Sequence, residues 1–432
     1  MLLLPWSGGA INLLVYNTND TGPGSLRQAL QDNVGLGGAN AIIFSNVVTG
    51  TISLGSALSV SADVTITGPG AKVLTLSGNN SVRVFEVSGG TVSISGLTIA
   101  NGFVATGNGG GILSTPSGGL APITIQSCVF SNNSAAGASA GNGGAVYLQN
   151  PGTILNSTFV GNHSWGSGGG GGAIYDYGPL WITNCTFTGN AATNSIARGG
   201  AIFAFNLSGN AFIYSCTIAS NTAASTGGGV QRFNGSVSIG NSIIAGNTGS
   251  TDPDVSSAFS SSGYNLVGNV STSTGWTGVG DQVGTSGSPI NAKIGGLRDY
   301  GGPTPTMAPQ YGSPTIDQGK KFGATTDQRG FARTIDNASV PNATNGDGTD
   351  IGAVEVDPNF RIVDLKPAGT NVALSLMTVL GRNYRAEYTN NLASGTWTAF
   401  TNNAPGNGYL LWVTNSGGGN QAKRFYRGVL LP

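Results

Sequence analysis

The chain has 432 residues, and 39% of them are apolar, which is enough to form a hydrophobic core and excludes wholesale disorder. Glycine is abundant at 73 residues, charged residues make up only 8%, and the net charge is zero. The absence of a Gly-X-Y period excludes collagen, and a neutral chain has no long-range field to attract nucleic acid or an anionic membrane, so we expect neither as a partner.

The first fifty residues (1–50) predict a strand and a short capping helix. The opening letters MLLLPWSGGAINLLVYN contain an apolar run, but they lack a basic region and are interrupted by Pro5 and Gly8, so they are typical of a degraded or truncated export signal. In TGPGSLRQALQDN, Ser25 is a candidate N-cap, and it is followed by apolar residues on one helical face: Leu26, Ala29 and Leu30. No stretch of about twenty apolar residues follows anywhere, so we expect no transmembrane helix.

Residues 51–290 contain an internal repeat. A Gly-Gly-aliphatic turn occurs five times, as GGGIL, GGAVY, GGAIY, GGAIF and GGGVQ, and the last three intervals are each 28 residues. Each period has three short β-branched or aromatic runs separated by Gly, Asn or Ser, as in AIYDY, LWITN and CTFTGN. Strands this short do not form stable hairpins, whereas a fixed period of three strands is typical of a parallel β-solenoid. We therefore predict an all-β fold with three strands per coil and roughly nine coils.

Aligning the repeats predicts side-chain ladders, because equivalent positions stack from coil to coil. One inward apolar column consists of Phe130, Phe159, Phe187, Ile218 and Ile244. Three residues on, a corner column of asparagines is expected to use left-handed backbone and to bond to neighbouring coils: Asn133, Asn162, Asn190, Asn221 and Asn247. The cysteines also fall in one column, Cys128, Ser157, Cys185, Cys216 and Ser242. We expect small buried side chains there, with a Cys185–Cys216 disulfide as the alternative.

The pattern changes after the repeats. Residues 291–357 begin with the Pro- and Gly-rich stretch GGLRDYGGPTPTMAPQYGSPTID, which predicts a closing region wrapped on the rod. Residues 358–432 contain alternating strands at eight-to-twelve-residue spacing, which predicts a small antiparallel β-sandwich with a boundary at Asp357-Pro358.

Several blocks of the sequence resemble a known family. NTNDTGPGSLRQAL, TITGPG and the GGAIY…NCTFTGN coils are similar to bacterial right-handed parallel β-helix surface proteins and to outer-membrane-protein repeats. GGPTPTMAPQYGSPTIDQG…TDQRGFAR…DGTDIGAVE resembles the choice-of-anchor Q domain, and the last seventy residues are similar to a C-terminal β-domain of secreted Verrucomicrobia and Planctomycetes proteins. The resemblance implies a right-handed, single-stranded parallel β-helix that is exported to the cell surface or matrix, and it implies no reaction.

The charged residues of the coils indicate whether the rod could carry out acid–base catalysis. Between Thr91 and Ser250 the only charged residues are Asp176, Arg198 and Arg232. Glycoside hydrolysis needs two carboxylates about 5–10 Å apart, and one carboxylate with an arginine two coils away does not supply them. We therefore expect no catalytic residue, although β-helix folds also include polysaccharide lyases and glycoside hydrolases, so a carbohydrate-active enzyme remains the alternative.

Two kinds of ligand site are candidates. Aromatic side chains that point outwards would stack on sugar rings of a surface polysaccharide, and the candidates are Trp165, Tyr175, Tyr177 and Trp181. NGDGTD places oxygen ligands at alternate positions, so Asp347 and Asp350 are candidates for structural Ca²⁺, and no other cofactor is expected. We expect Asp327 to form a local salt bridge with Arg329 or Arg333.

These observations together predict a secreted, non-catalytic, structural or adhesive β-solenoid of the bacterial surface or extracellular matrix. Open β-edges at the ends of the rod also predict end-to-end self-association into a fibre. The alternative is a carbohydrate-active enzyme or a glycan-binding module.

Overall fold

The computed structural model describes residues 10–115, 121–137, 141–166, 170–207, 209–357, 361–379, 382–406 and 410–431. Within those ranges the chain is nearly all β, with one α-helix. The elements up to the middle of the chain are β1 Asn12–Val15, α1 Leu26–Gly35, β2 Asn40–Phe44, β3 Gly50–Ser53, β4 Leu58–Val60, β5 Val64–Thr67, β6 Leu74–Ser77, β7 Phe85–Val87, β8 Val92–Ser95, β9 Thr98–Ala100, β10 Phe103–Val104, β11 Ile112–Ser114, β12 Ile123–Gln126, β13 Val129–Ser131, β14 Ser134–Ala135, β15 Val146–Leu148, β16 Gly152–Leu155, β17 Thr158–Val160, β18 His163–Ser164, β19 Ile174–Asp176, β20 Leu180–Thr183 and β21 Thr186–Thr188.

The remaining elements complete the rod and form a C-terminal domain. They are β22 Ala191–Ala192, β23 Ile202–Ala204, β24 Ala211–Tyr214, β25 Thr217–Ala219, β26 Thr222–Ala223, β27 Val230–Arg232, β28 Val237–Gly240, β29 Ile243–Ala245, β30 Val255–Ser256, β31 Ser260–Gly263, β32 Leu266–Val267, β33 Gln282–Val283, β34 Arg361–Ala368, β35 Asn371–Met377, β36 Asn383–Thr389, β37 Thr398–Pro405, β38 Leu410–Asn415 and β39 Phe425–Leu431. Two short 3₁₀ turns lie at Leu392–Ser394 and Gly418–Asn420.

The rod is a parallel β-solenoid, as the repeat predicts, and in the described residues it has about eight coils where roughly nine were predicted. Sheet A contains ten strands in the order β1-β2-β5-β8-β12-β16-β20-β24-β28-β31, sheet B contains ten in the order β3-β6-β9-β13-β17-β21-β25-β29-β32-β33, and sheet C contains eight in the order β30-β27-β23-β19-β15-β11-β7-β4. In the described residues, five coils also carry a fourth strand of two residues, in addition to the three that the repeat predicts. These strands form sheet D, in the order β10-β14-β18-β22-β26.

The hydrophobic core runs along the axis of the rod. Strand alternation buries Ile123 and Ile125 while Thr124, between them, is half-exposed. The rings of Phe130, Phe159 and Phe187 stack at successive centroid distances of 4.7 Å. Because every coil repeats the same inward positions, one continuous cluster of buried side chains extends from Val15 to Trp276.

The repeated glycines form one corner of each coil. Gly171 has a φ of +67°, and a Cβ on it would lie 2.2 Å from the carbonyl oxygen of Ile174. The next residue, Gly172, approaches the coil below so closely that a Cβ would lie 2.2 Å from the carbonyl oxygen of Gly200. Only glycine fits both positions, so the glycine-rich runs are tight corners rather than flexible linkers.

Helix α1 covers the N-terminal end of the core, as predicted. Ser25 is its N-cap and accepts a hydrogen bond from the Gln28 amide, and Leu26, Ala29 and Leu30 are buried against the first strands. This apolar face covers core residues that would otherwise meet solvent at the end of the rod.

The closing region, residues 291–357, contacts the outer face of sheet B. The Gln328 side chain accepts a hydrogen bond from the Thr186 hydroxyl at 2.6 Å and donates to the Thr158 hydroxyl at 2.9 Å. Nearer the C-terminal end of the rod, the side-chain amide of Asn241 donates to the backbone carbonyl of Asp350. The backbone amide of Ala353 donates to the Thr217 hydroxyl. This face of the solenoid is therefore buried under the closing region.

The C-terminal domain is a small antiparallel sandwich, as predicted. Sheet L has the order β34-β35-β38, and sheet M has the order β37-β36-β39. Their facing sides share one core, formed by Val372, Leu374, Leu376, Ala386 and Val413. The predicted boundary at Asp357-Pro358 adjoins residues 358–360, which lie outside the described ranges.

Candidate functional site

The asparagine column is a continuous hydrogen-bonded ladder inside one corner of the rod. The backbone and side-chain amides of Asn162 both donate to the Asn190 Oδ1 atom, at 3.0 and 2.8 Å, and Asn190 donates in the same way to Asn221. The Asn133 and Asn247 side chains extend the ladder at its two ends. All five residues are buried, so the ladder satisfies polar groups that have no access to water.

The expected left-handed backbone at these asparagines is wrong, and the structure places it one residue earlier. The residues that precede the ladder asparagines have φ values between 54° and 70°, and they are Asn132, Gly161, Gly189, Ser220 and Gly246. The left-handed residue turns the chain, and the asparagine that follows can then point inwards.

Asp254 terminates the ladder, and the sequence alignment missed it. Its Oδ1 atom accepts from the backbone and side-chain amides of Asn247, both at 2.9 Å, which is the role that an asparagine plays in the preceding coils of the ladder. Burial raises the pKa of Asp254 to about 6. Asp254 falls outside the 28-residue register because the chain between Asn247 and Asp254 is shorter than a coil, so only the TDPD turn in the sequence could have indicated it.

The cysteines line a second inner column, and all three are buried free thiols. The Ser157 amide donates to the Cys185 sulfur at 3.4 Å, and the Cys185 and Cys216 thiols lie on neighbouring coils. Burial raises the pKa of the Cys128 thiol to about 12, and it raises that of Cys185 as well. The column is therefore one of small buried side chains, and the alternative of a Cys185–Cys216 disulfide is wrong.

Asp176 points into the core of the rod. It occupies the inward position that Leu148 and Ala204 occupy on the adjacent coils, and its side chain is fully buried. Neither carboxylate oxygen has a hydrogen-bond partner among the described residues, and burial raises its pKa well above the ordinary value. Arg232 lies two coils away in the same column, as the alignment predicts. A carboxyl enclosed in the core has no access to substrate and is not available to act on it as an acid or base.

The predicted glycan residues Tyr175 and Tyr177 lie in two aromatic columns on the outer side of sheet C. Tyr175 is buried between Tyr147 and Phe203, with centroid distances of 5.1 Å to each ring. Tyr177 stacks on Phe205 at 4.8 Å. Since these rings stack face to face along the rod, their flat faces contact one another, and the columns present mainly ring edges to the outside.

The other two predicted glycan residues lie elsewhere, so the four do not form one strip. Trp181 is 43% exposed on the outer face of sheet A and stacks on Phe212. Trp165 directly follows strand β18 of sheet D, and it is 52% exposed. Its Nε1 atom donates to the His163 ring, which also contacts the Thr193 hydroxyl. Trp165 and Trp181 are therefore separate exposed rings on different faces.

The two candidate Ca²⁺ ligands have different environments. Asp350 is fully buried, and its two oxygens accept hydrogen bonds from the backbone amides of Asp317 and Val356. Asp347 is partly exposed and accepts from the Lys321 amide at 3.3 Å. Among the described residues, no group of three or more His, Cys, Asp and Glu side chains is arranged to hold a metal ion. Structural Ca²⁺ stays a prediction.

A buried ionic cluster holds the closing region together. The Arg329 Nη2 atom lies 2.7 Å from the Asp327 Oδ2 atom, which confirms the predicted local salt bridge. Arg333 faces Glu355 at 3.9 Å and donates to the Asn184 side chain of the rod at 3.2 Å. Burial raises the pKa of Glu355 to about 7 even though Arg333 lowers it. These contacts are internal, and they fix the closing region rather than form an open cleft.

Comparison with known proteins adds no family to these observations. No family model matches the chain, and no curated protein matches it. Among the helices of the described ranges, none has the length and apolar character needed to cross a membrane.

Proposed function

We propose that the chain is a secreted, non-catalytic β-solenoid with a structural or adhesive role at the bacterial cell surface or in the extracellular matrix. The observation that carries this proposal is the environment of Asp176. It is the only carboxylate between Thr91 and Ser250, and it is buried in the core with no partner among the described residues. The coil faces there offer no pair of carboxylates for hydrolysis, and their exposed groups are mainly Ser, Thr and aromatic side chains.

The internal ladders support a mechanical role. The asparagine ladder, the stacked phenylalanines and the Gln328 contacts to sheet B join successive coils and the closing region into one body. A rod whose coils are joined by a continuous ladder of buried hydrogen bonds and by stacked rings is suited to bear load or to hold a terminal domain away from a surface.

Self-association into a fibre is part of the proposal and depends on the ends of the rod. Helix α1 covers the core at the N-terminal end, whereas β1 is the outermost described strand of sheet A and has one backbone edge that no other described strand pairs with. Light scattering over a range of protein concentrations tests it. A particle mass that rises with concentration supports end-to-end association, and a constant monomer mass rejects it.

The catalytic alternative is tested with purified full-length protein and a panel of neutral and acidic polysaccharides. We expect no release of reducing ends and no absorbance from unsaturated uronates, even after long incubation. Either product, if it is formed by the wild-type protein and retained after a second purification step, would overturn the non-catalytic role.

A further inference from the structure

The neutral net charge of the chain hides a separation of charge between its two ends. Residues 361–432 contain seven Lys and Arg but only two Asp and Glu, whereas residues 1–360 contain 11 Lys and Arg and 16 Asp and Glu. The C-terminal sandwich therefore carries a net charge of +5, and the rest of the chain carries −5. The zero net charge of the whole chain therefore does not describe this domain, and the expectation that nucleic acid and anionic membranes are not partners stays a prediction.

Three of the seven cations, Arg385, Lys423 and Arg427, lie on or beside the outer face of sheet M. In strand β36, Ala386 packs into the sandwich core, so its neighbours Arg385 and Glu387 lie on the opposite face. Arg427 in strand β39 pairs directly with Glu387 across the sheet. The Nε atoms of Arg385 and Arg427 each lie 2.7 Å from one of the two Glu387 carboxylate oxygens.

This arrangement orients the two guanidinium groups towards solvent. Glu387 is nearly buried, with 6% of its side chain exposed, while the side chains of Arg385 and Arg427 are 38% and 47% exposed. The Arg427 guanidinium also lies 4.3 Å from the ring centroid of Trp397. In the described part of the chain, the Nη groups of the two arginines make no hydrogen bond. Glu387 holds Arg427 by a hydrogen bond from Nε and Arg385 by an ion pair, and the Nη groups of both arginines are suited to bind carboxylates in a bidentate manner.

One more cation extends the face along the edge of the domain. Lys423 is exposed, and its Nζ atom lies 5.1 Å from the Phe425 ring centroid. Arg424 lies on the inner side instead, where it donates to the Asn415 side chain of sheet L at 2.7 Å and lies 3.9 Å from the Tyr388 ring centroid. Cations and half-buried rings therefore alternate over a surface longer than a single small anion.

We propose that this face of sheet M, formed by Arg385, Trp397, Lys423, Phe425 and Arg427, binds an acidic polysaccharide through its carboxylate groups. A polymer with one carboxylate per sugar ring matches cations that are separated by aromatic rings. Duplex nucleic acid, with one charge per about 1.7 Å of axis, calls for a denser array of cations. The inference rests on the proposed function in that a surface or matrix location places the domain among such polymers.

The test measures binding of full-length protein to immobilised polygalacturonate at several salt concentrations, with dextran as the neutral polymer. We expect binding to polygalacturonate that weakens as salt rises, and no binding to dextran. Lys423→Gln, at an exposed position, should weaken binding severalfold, and Arg385→Gln/Glu387→Gln/Arg427→Gln should weaken it about tenfold or more. The triple variant replaces the whole ionic group, so no carboxylate is left buried without a partner.

The matched control is Lys293→Gln/Lys321→Gln, which removes two exposed cations outside the C-terminal domain. Its affinity should equal that of wild type. Equal loss in the control, equal binding to dextran, no binding at all, or tighter binding to duplex DNA or to phosphatidylserine vesicles would overturn the inference. Release of products from polygalacturonate would refute the non-catalytic role but not the binding face. Absence of both binding and product release would refute the binding face but not the non-catalytic role.

Discussion

Replacing Asn190 by alanine tests the asparagine ladder at its centre. The substitution removes four side-chain hydrogen bonds, two accepted from Asn162, one donated to the Phe159 carbonyl and one donated to Asn221. The Asn162 side-chain amide still has the Phe130 carbonyl, and Asn221 Oδ1 still accepts from the residue-190 backbone amide. The Phe159 carbonyl lies in the parallel ladder between β17 and β21, whose register also places the Thr188 amide on it, so the group left buried without a partner is the Asn162 backbone amide.

The magnitude follows from that one amide. A buried polar group left without a partner costs about 1–3 kcal/mol, so we expect Asn190→Ala to lower the free energy of unfolding by about 1–3 kcal/mol. Denaturant unfolding followed by circular dichroism gives the change, and hydrogen exchange should show faster exchange at the Asn162 amide than at amides several coils away. Exchange separates local from global effects, because solenoids can lose coils without unfolding completely.

The matched control is Asn46→Ala. Asn46 is exposed, and its side chain makes no hydrogen bond in the described part of the chain. We expect a change within about 0.5 kcal/mol for this variant. If Asn190→Ala changed stability as little as Asn46→Ala, the ladder would not hold the coils together and the reasoning would be refuted.

Three further predictions concern buried groups. Asp176→Leu, which copies Leu148 of the adjacent coil, should raise the free energy of unfolding by about 1–3 kcal/mol because it removes an unpartnered buried carboxyl, and a lower denaturant midpoint would contradict this. The pKa of Asp254 is about 6 in the folded state and 3.8 ordinarily, so the stability that its protonation contributes is present below pH 3.8 and is lost as the pH rises through 6. Asp254→Asn should remove this part of the pH dependence of unfolding. A pH profile of stability identical to that of wild type would contradict the prediction. At pH 8 the native thiols, Cys128 among them, should resist iodoacetamide and react on unfolding, whereas rapid labelling of the native protein would argue against their burial.

The repeat made most of the rod predictable from sequence. A 28-residue period fixes which residues share a column, so the stacking of Phe130 on Phe159 and the neighbouring positions of Cys185 and Cys216 follow from alignment alone. The capping helix was also predictable, because Ser25 and the apolar face after it are local signals.

Features that depend on tertiary contacts were not predictable in the same way. Two-residue strands such as Ser134–Ala135 carry no periodicity, so sheet D was missed. Asp254 was missed because it replaces an asparagine outside the repeat register. Whether Asp176 points inwards or outwards depends on which residues of β19 face the core. A strand of only three residues is too short for its alternation of apolar and polar residues to decide this. The glycan candidates were chosen by residue type, and type alone does not show that Tyr175 is enclosed between two other rings.

The net charge of the whole chain does not indicate the basic face of sheet M. Zero net charge over 432 residues is the sum of a positive terminal domain and a negative remainder. The face forms only when β36 and β39 pair and bring Arg385 and Arg427 to either side of Glu387.

The central claim is that the chain is a structural component outside the cell. The most direct measurement is immunogold electron microscopy of intact, unpermeabilised cells that produce the chain, with cells lacking its gene as the control. We predict gold particles at the outer surface or in the surrounding matrix, in the positions where thin rods are seen. Labelling that appears only after permeabilisation and lies in the cytoplasm would contradict the claim.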